Sequence, residues 1–154
     1  MAKQYRGMKG DARALAAYVK LLRASESVLR ESTRPLALYD LTPSQFGVLE
    51  ALYDDGPQCL SDLARRILKT SGNLTVVVEN LEKRRLVRCR PGRRDRRFIT
   101  VALTAKGRSL LRSILPGHAT AVVAVMDRLS AREQEALGTL CGKLTGSPAP
   151  SATR

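Results

Sequence analysis

The sequence predicts a mainly α-helical protein with one small β-hairpin, an α+β chain whose core is built by helices. Three observations lead there. Apolar residues recur at helical spacing over most of the chain, the period drops to two between residues 86 and 103, and positive charge concentrates where the period changes. From Lys83 to Arg97 stand nine basic side chains (Lys83, Arg84, Arg85, Arg88, Arg90, Arg93, Arg94, Arg96, Arg97) against one acid, Asp95. Nothing local neutralises their repulsion, so the segment makes physical sense with a polyanion against it.

Taken in order, residues 11–34 carry Leu15, Val19, Leu22, Val28 and Leu29 at helical spacing, with Pro35 where the pattern stops. A shorter helix follows in "LTPSQFGVLEALYDDGPQ": Thr42 as N-cap, Pro43 at the first helical position, Phe46, Leu49 and Leu52 facing inward, and an Asp-Gly-Pro stop. "CLSDLARRILKTSGNLTVVVENLEKRRL" reads as two helices joined at Lys69-Thr70. Ser61 is expected to cap the first and Thr70 or Ser71 the second. In the second, Leu74, Val77, Val78 and Leu81 form the inward stripe, leaving Asn73, Thr75, Val76, Glu79, Asn80 and Lys83 outside.

The hairpin alternates Val87 and Cys89 with Arg88 and Arg90. After a Pro91-Gly92 turn, Ile99, Val101 and Leu103 alternate with Phe98, Thr100 and Ala102. Thr104 caps a long helix to about residue 127, expected to be interrupted at Pro116-Gly117, since proline has no N–H for the carbonyl of Arg112. Ser130 caps a last helix, and GSPAPSATR has too little apolar content to order itself. The organisation predicted is a helix over 1–40, a compact lobe over 41–104, helices over 105–145 and a tail over 146–154.

At 154 residues the chain allows one domain or two small lobes sharing a core, and 44% hydrophobic residues suffices to build one. A formal charge of +13 ranks nucleic acid first among partners, an anionic membrane second and acidic proteins third. With no apolar signal segment and no run of about 18 apolar residues to span a bilayer, a cytoplasmic protein without a membrane partner is expected. Cys59, Cys89 and Cys141 fall at no metal-ligand spacing and His118 is the single histidine, so no metal and no cofactor are expected. Nor do paired carboxylates, or a nucleophile with its base, stand at usable spacing, which argues against an enzyme.

Two tightly joined helices followed by a basic hairpin are a winged helix-turn-helix, in which one helix enters the major groove of double-stranded DNA and the hairpin tip reaches a neighbouring minor groove. The residues that carry this order, "LTPSQFGVLEAL" from Leu41, "LSDLARRI", "SGNLTVVVENLEKRRLV" and "DRRFITVALTAKG", resemble the multiple antibiotic resistance regulator (MarR) family over nearly the whole chain. "ILPGHA", residues 114–119, is similar to a stretch of its methylhydroquinone- and catechol-responsive branch. The resemblance implies a homodimer, its terminal helices interlocked and its lobes on successive turns of a pseudo-palindromic operator. The apolar residues of those helices (Ala14, Leu15, Leu21, Leu22, Ala121, Val122, Val125, Leu137, Leu140, Leu144) independently exceed what one small lobe can cover, the alternative being an intramolecular three-helix cap.

On the expected recognition helix, Ser71, Asn73, Thr75, Val76 and Asn80 are candidates to read base edges, against plain solvation of a helix face. The resemblance gives Arg97 the minor-groove insertion, with Asp95 holding it; Arg93, Arg94 and Arg96 would meet phosphates, with Arg84, Arg85 and Arg90 completing the contact set. Arg85 departs from the family, which usually has glycine at this left-handed cap position. For a ligand, His118 is the candidate, with Tyr39, Phe46 and Arg30; the alternative is a satisfied interface histidine. Cys59 and Cys141 are candidates for electrophile or redox chemistry, against the reading of each as a small buried hydrophobe. The function expected is a repressor released by a small aromatic, phenolic or quinone-type effector. A low-specificity architectural DNA-binding protein without effector control is the alternative.

Overall fold

The computed structural model describes residues 9–67, 71–91 and 99–146. In chain order these form α1 (Lys9–Ser32), a 3-10 helix (Arg34–Tyr39), α2 (Pro43–Asp54), β1 (Gln58–Cys59), α3 (Leu60–Arg66), α4 (Ser71–Lys83), β2 (Val87–Pro91), β3 (Ile99–Leu103), α5 (Ala105–Met126) and α6 (Ala131–Thr145). The expected α+β class is the one observed. The chain divides into two compact units, one of residues 32–119 and one of residues 1–31 with 120–154.

The larger unit is organised on α2. Thr42 Oγ1 accepts from the Gln45 N–H at 3.2 Å while Gln45 Oε1 accepts from the Thr42 N–H at 3.0 Å, a reciprocal box that leaves both donors satisfied. Behind this start, Phe46, Val48, Leu49, Ala51 and Leu52 are buried with Leu63 and Ala64 of α3, Leu74, Val78 and Leu81 of α4, Val87 and Val101 of the strands, and Leu111 and Ile114 of α5. The inward stripe of α4 is therefore the one its spacing predicts, with Val77 half-buried beside it. Thr104 begins α5 as expected, its hydroxyl accepting from the Gly107 N–H at 3.0 Å.

The structure corrects several expectations. The sheet has three strands in the order β1-β3-β2, all antiparallel, with Gln58 opposite Val101 and Cys59 opposite Thr100. Because β1 runs directly into α3, Cys59 takes the N-cap position expected of Ser61. Pro91 ends β2 opposite Ile99, and the remainder of the expected Pro91-Gly92 turn, with Phe98, lies outside the described residues. Ile99, at the outer end of that ladder, is 45% exposed and not part of the packed face.

α1 stops at Ser32, and the chain continues into the 3-10 helix through Pro35, which is compatible with a helix start but not with an interior. α5 is the long helix expected, and it runs through Pro116 without the interruption expected at Pro116-Gly117. α5 is also long and apolar enough, by length and composition alone, to cross a membrane. It is not an unbroken apolar run, since Arg112, Ser113, His118 and Thr120 interrupt it, and Leu111 and Ile114 of this helix belong to the buried core.

In the smaller unit, Gln134 Nε2 donates to the carbonyls of Met126 and Leu129 at 3.0 and 3.1 Å, tying α6 to the end of α5. The Glu133 carboxylate accepts from the Ser130 N–H at 2.8 Å and from its hydroxyl at 2.7 Å, which holds that carboxyl below the usual range and fixes the expected start of α6. Arg128 forks onto both carboxylate oxygens of Glu31. The hydrogen bond from Arg128 is the main reason that the Glu31 carboxyl is held down, and in return it raises the guanidinium. The pair is solvent-exposed and fixes geometry more than it stabilises. Tyr18, Leu22 and Leu29 of α1, Val123 of α5, and Leu140 and Leu144 of α6 remain exposed on this unit.

Candidate nucleic-acid interface

α3 and α4 are the two helices of the expected helix-turn-helix; the joining residues 68–70 lie outside the described residues. Leu74, Val78 and Leu81 hold one side of α4 in the core, which commits the opposite side to solvent. That side presents Thr75, Val76 at 57% exposure, Glu79, Asn80 and Lys83. A hydroxyl, a carboxamide and a methyl pair are groups that can meet base edges and thymine methyls. The side chains of Ser71 and Asn73 lie outside the described residues, as do Arg93, Arg94, Asp95, Arg96 and Arg97 in full.

On β2, Val87 is buried while Arg88 and Arg90 share the exposed face. Arg88 belongs beside Arg90, a placement the alternation implied but that the candidate contact set omitted. Cys89, between them, donates its N–H to Glu82 Oε1 at 2.7 Å, fastening the strand to α4. Burial, followed by the charge of Glu82, pushes the Cys89 thiol up to about 11. A thiol with its folded-state value raised stays protonated through neutral pH and loses its proton only at strongly alkaline pH. Iodoacetamide at pH 8, with sites mapped by mass spectrometry, is accordingly expected to leave Cys89 largely unmodified in the native protein. Rapid native labelling of Cys89 at that pH would refute this.

The end of α4 explains Arg85. Arg85 has a φ of 59°, in the left-handed region, with its N–H on the carbonyl of Glu82 at 2.8 Å and the Leu86 N–H on the carbonyl of Leu81 at 2.9 Å. This is the Schellman pattern, with Leu86 and Leu81 both buried beneath it. A non-glycine side chain there costs about 1 kcal/mol, partly offset because arginine has less backbone freedom to lose than glycine. Arg85→Gly is therefore expected to stabilise the protein by about 0.5 kcal/mol in urea denaturation. A loss of stability would contradict the conformational account.

Arg84 has a different setting from the other arginines. It is half-buried, its Nη1 donating to the Asp40 carbonyl at 2.6 Å and its Nη2 to the Tyr39 carbonyl at 3.0 Å. These bonds tie both terminal nitrogens of the guanidinium to the backbone at the end of the 3-10 helix, a setting found for none of the other described basic side chains of this segment.

Of the ligand candidates, His118 lies against Phe46 with ring centroids 4.6 Å apart and its Nδ1 is 3.0 Å from the Ser32 carbonyl. Tyr39 donates its hydroxyl to the Ser113 carbonyl at 3.2 Å. These residues share the larger unit; Arg30 is exposed and belongs to the smaller one. Cys59 Sγ donates to Asp62 Oδ2 at 2.8 Å and lies 3.0 Å from Ser61 Oγ, and the thiol, with Arg65, holds the Asp62 carboxyl below its ordinary range. Cys141 is half-buried on α6. Among the described residues, no three His, Cys, Asp or Glu side chains stand together as a metal site.

Comparison with known proteins gives this geometry a family. The MarR family model matches residues 39–97. YkoM of Bacillus subtilis strain 168, an uncharacterized HTH-type transcriptional regulator, is 36% identical over 131 residues, covering 85% of this chain and 85% of YkoM. MhqR of the same strain, an HTH-type transcriptional regulator, is 34% identical over 123 residues, covering 80% of this chain and 85% of MhqR. The solved structure of Bordetella bronchiseptica BpsR, whose DNA binding is regulated by 6-hydroxynicotinic acid, superposes with a TM-score of 0.75 at 27% identity, covering 83% of this chain and 91% of that one. With the helix pair, the basic strand and these relatives in agreement, this chain belongs to the MarR family of DNA-binding, winged helix-turn-helix transcriptional regulators.

Proposed function

We propose that the protein is a homodimeric repressor that occupies a pseudo-palindromic operator and leaves it when a small aromatic, phenolic or quinone-type effector binds or reacts. The observation that carries the DNA reading is α4: buried on one side and polar on the other, it ends at a strand that exposes Arg88 and Arg90. Ser71, Asn73, Thr75, Val76 and Asn80 would read bases, and Arg85, Arg90, Arg93, Arg94 and Arg96 would meet phosphates. Arg97, steadied by Asp95, would enter the minor groove. Arg97→Ala is then expected to lower operator affinity more than Arg90→Ala, since it loses groove insertion as well as charge; equal losses in parallel titrations would remove that role.

Dimerisation through residues 1–40 and 105–145 is supported by the apolar side chains left exposed on α1, α5 and α6, which a second copy of the chain would cover. The lobe over 41–104 would then do the reading, inside the cytoplasm. For the effector, the support is the likeness to BpsR, a regulator that responds to a hydroxylated aromatic acid, together with His118 on Phe46 near Tyr39. Binding would favour a separation of the recognition helices that no longer matches one DNA turn of about 34 Å.

The test is fluorescence anisotropy of the reduced protein on its upstream intergenic DNA with methylhydroquinone, salicylate or 6-hydroxynicotinic acid added. Release by any of them supports effector control, and a variant without Cys59, Cys89 and Cys141 then separates binding from modification. Specific binding that none of the compounds disturbs would contradict the proposed effector class.

A further inference from the structure

The two non-glycine residues with positive φ among those described are Asp40, at 51°, and Arg85, at 59°. Each terminates a helix: Asp40 the 3-10 helix and Arg85 the helix α4. Strained backbone of this kind persists where its surroundings over-determine it. Each is held by its own cap hydrogen bonds, and one arginine links the two, because Arg84 precedes the second strained residue in the chain and donates its guanidinium to the carbonyl of the first, Asp40, and to that of Tyr39.

The same arginine is held from α5. Lys106 Nζ donates to the Arg84 carbonyl at 3.0 Å, and Thr104 Oγ1 donates to the Arg85 carbonyl at 2.8 Å. Tyr39, whose carbonyl Arg84 takes, returns to α5 through its hydroxyl on Ser113. The contacts therefore close a ring, from α5 at Lys106 to the end of α4, through the guanidinium to the 3-10 helix, and from Tyr39 back to α5 at Ser113. The described side of α4 that faces solvent makes no contact in this ring.

We propose that Arg84 is a positioning residue for DNA recognition, a brace that sets the angle of α4 against α5 and so decides operator discrimination without touching DNA. The inference rests on the reading of α4 as the recognition helix. A brace and a phosphate contact make opposite demands of the side chain. A phosphate accepts lysine in place of arginine, whereas two carbonyls held by a planar fork do not. A phosphate contact contributes about 0.9 to the slope of log affinity against log salt, and a brace contributes nothing to it.

The experiment uses the full-length protein and an operator selected by the wild type from random duplexes, with a scrambled duplex as control. Arg84→Lys and Arg84→Met are expected to lower operator affinity about equally, by roughly tenfold, with the salt slope and scrambled-DNA affinity of the wild type. Lys106→Met and Tyr39→Phe, which cut the ring elsewhere, should lower the operator preference in the same direction, and each should act non-additively with Arg84→Met in a double-mutant cycle. Retained scrambled-DNA binding reports that the variants are folded. A shallower slope with matching losses on both DNAs, or full affinity in Arg84→Lys with loss only in Arg84→Met, would overturn the proposal while leaving the recognition helix intact. If the wild type enriches no sequence at all, both the proposal and the reading beneath it fall.

Discussion

Gly107→Ala is expected to be among the most damaging single-methyl additions in this protein. A Cβ at Gly107 would lie 2.0 Å from the Leu86 carbonyl oxygen, 2.9 Å from its carbon and 3.2 Å from Leu103 Cδ2. The first two are backbone atoms of a segment that cannot drift: the Leu86 oxygen accepts from the Thr104 N–H at 3.1 Å and shares with the Arg85 carbonyl the single proton of the Thr104 hydroxyl. Alanine gains about 1 kcal/mol over glycine in a helix interior, but relieving the overlap means moving the end of α4 away from α5, at a cost of about 3 kcal/mol or more. The net expected loss of about 2 kcal/mol corresponds to a fall in Tm of roughly 6 °C, followed by circular dichroism. Operator affinity should fall as well, since the displaced residues adjoin the Arg84 brace. An unchanged melting temperature would mean that the approach of α5 to Leu86 is looser than described.

The second large effect concerns the smaller unit and separates a dimer from an intramolecular helical cap. Leu140 is 59% exposed and Leu144 71% exposed, so neither supports the fold of one isolated chain. Leu140→Glu should leave the melting of the winged lobe nearly unchanged and yet convert the protein to monomers in sedimentation velocity. Losing the link between half-sites removes an avidity of about a hundredfold or more, which operator titration would register. A wild type that sediments as a monomer, or a Leu140→Glu variant that stays dimeric, would contradict this account of α1, α5 and α6.

How much was legible in the sequence follows the range of the interactions. Thr42, Thr104 and Ser130 were identifiable because a cap acts on residues three positions ahead, and the α4 stripe because burial repeats every turn. β1 was not, since two residues cannot display a period and its pairing partners stand more than forty positions away. That strand also displaced Ser61 from its expected capping role. The continuity of α5 through Pro116 was missed because proline removes a local bond, while the packing of Leu111 and Ile114 that supports the helix is tertiary.

The candidate site divides in the same way. Val76, Thr75 and Asn80 were placed outward by periodicity, and they are exposed. Arg85 was singled out as standing where glycine suits a left-handed cap, and its φ shows the conformation. Arg84 was hidden by its neighbours: in a run of basic residues nothing distinguishes the arginine that binds carbonyls forty-four and forty-five positions earlier. Gly107 was silent for a related reason, since only the carbonyl of Leu86, remote in sequence, makes its missing side chain necessary.

The central claim is that α4 and the basic hairpin read a DNA sequence and do more than attract its charge. Its most direct measurement is the affinity of the wild-type protein for its own upstream intergenic DNA against a scrambled duplex of equal length and composition, at one fixed salt concentration. A sequence-specific regulator is expected to prefer the upstream DNA by about a thousandfold. Equal affinity for the two, falling equally steeply with salt, would contradict the claim and identify an architectural DNA-binding protein that uses the same fold.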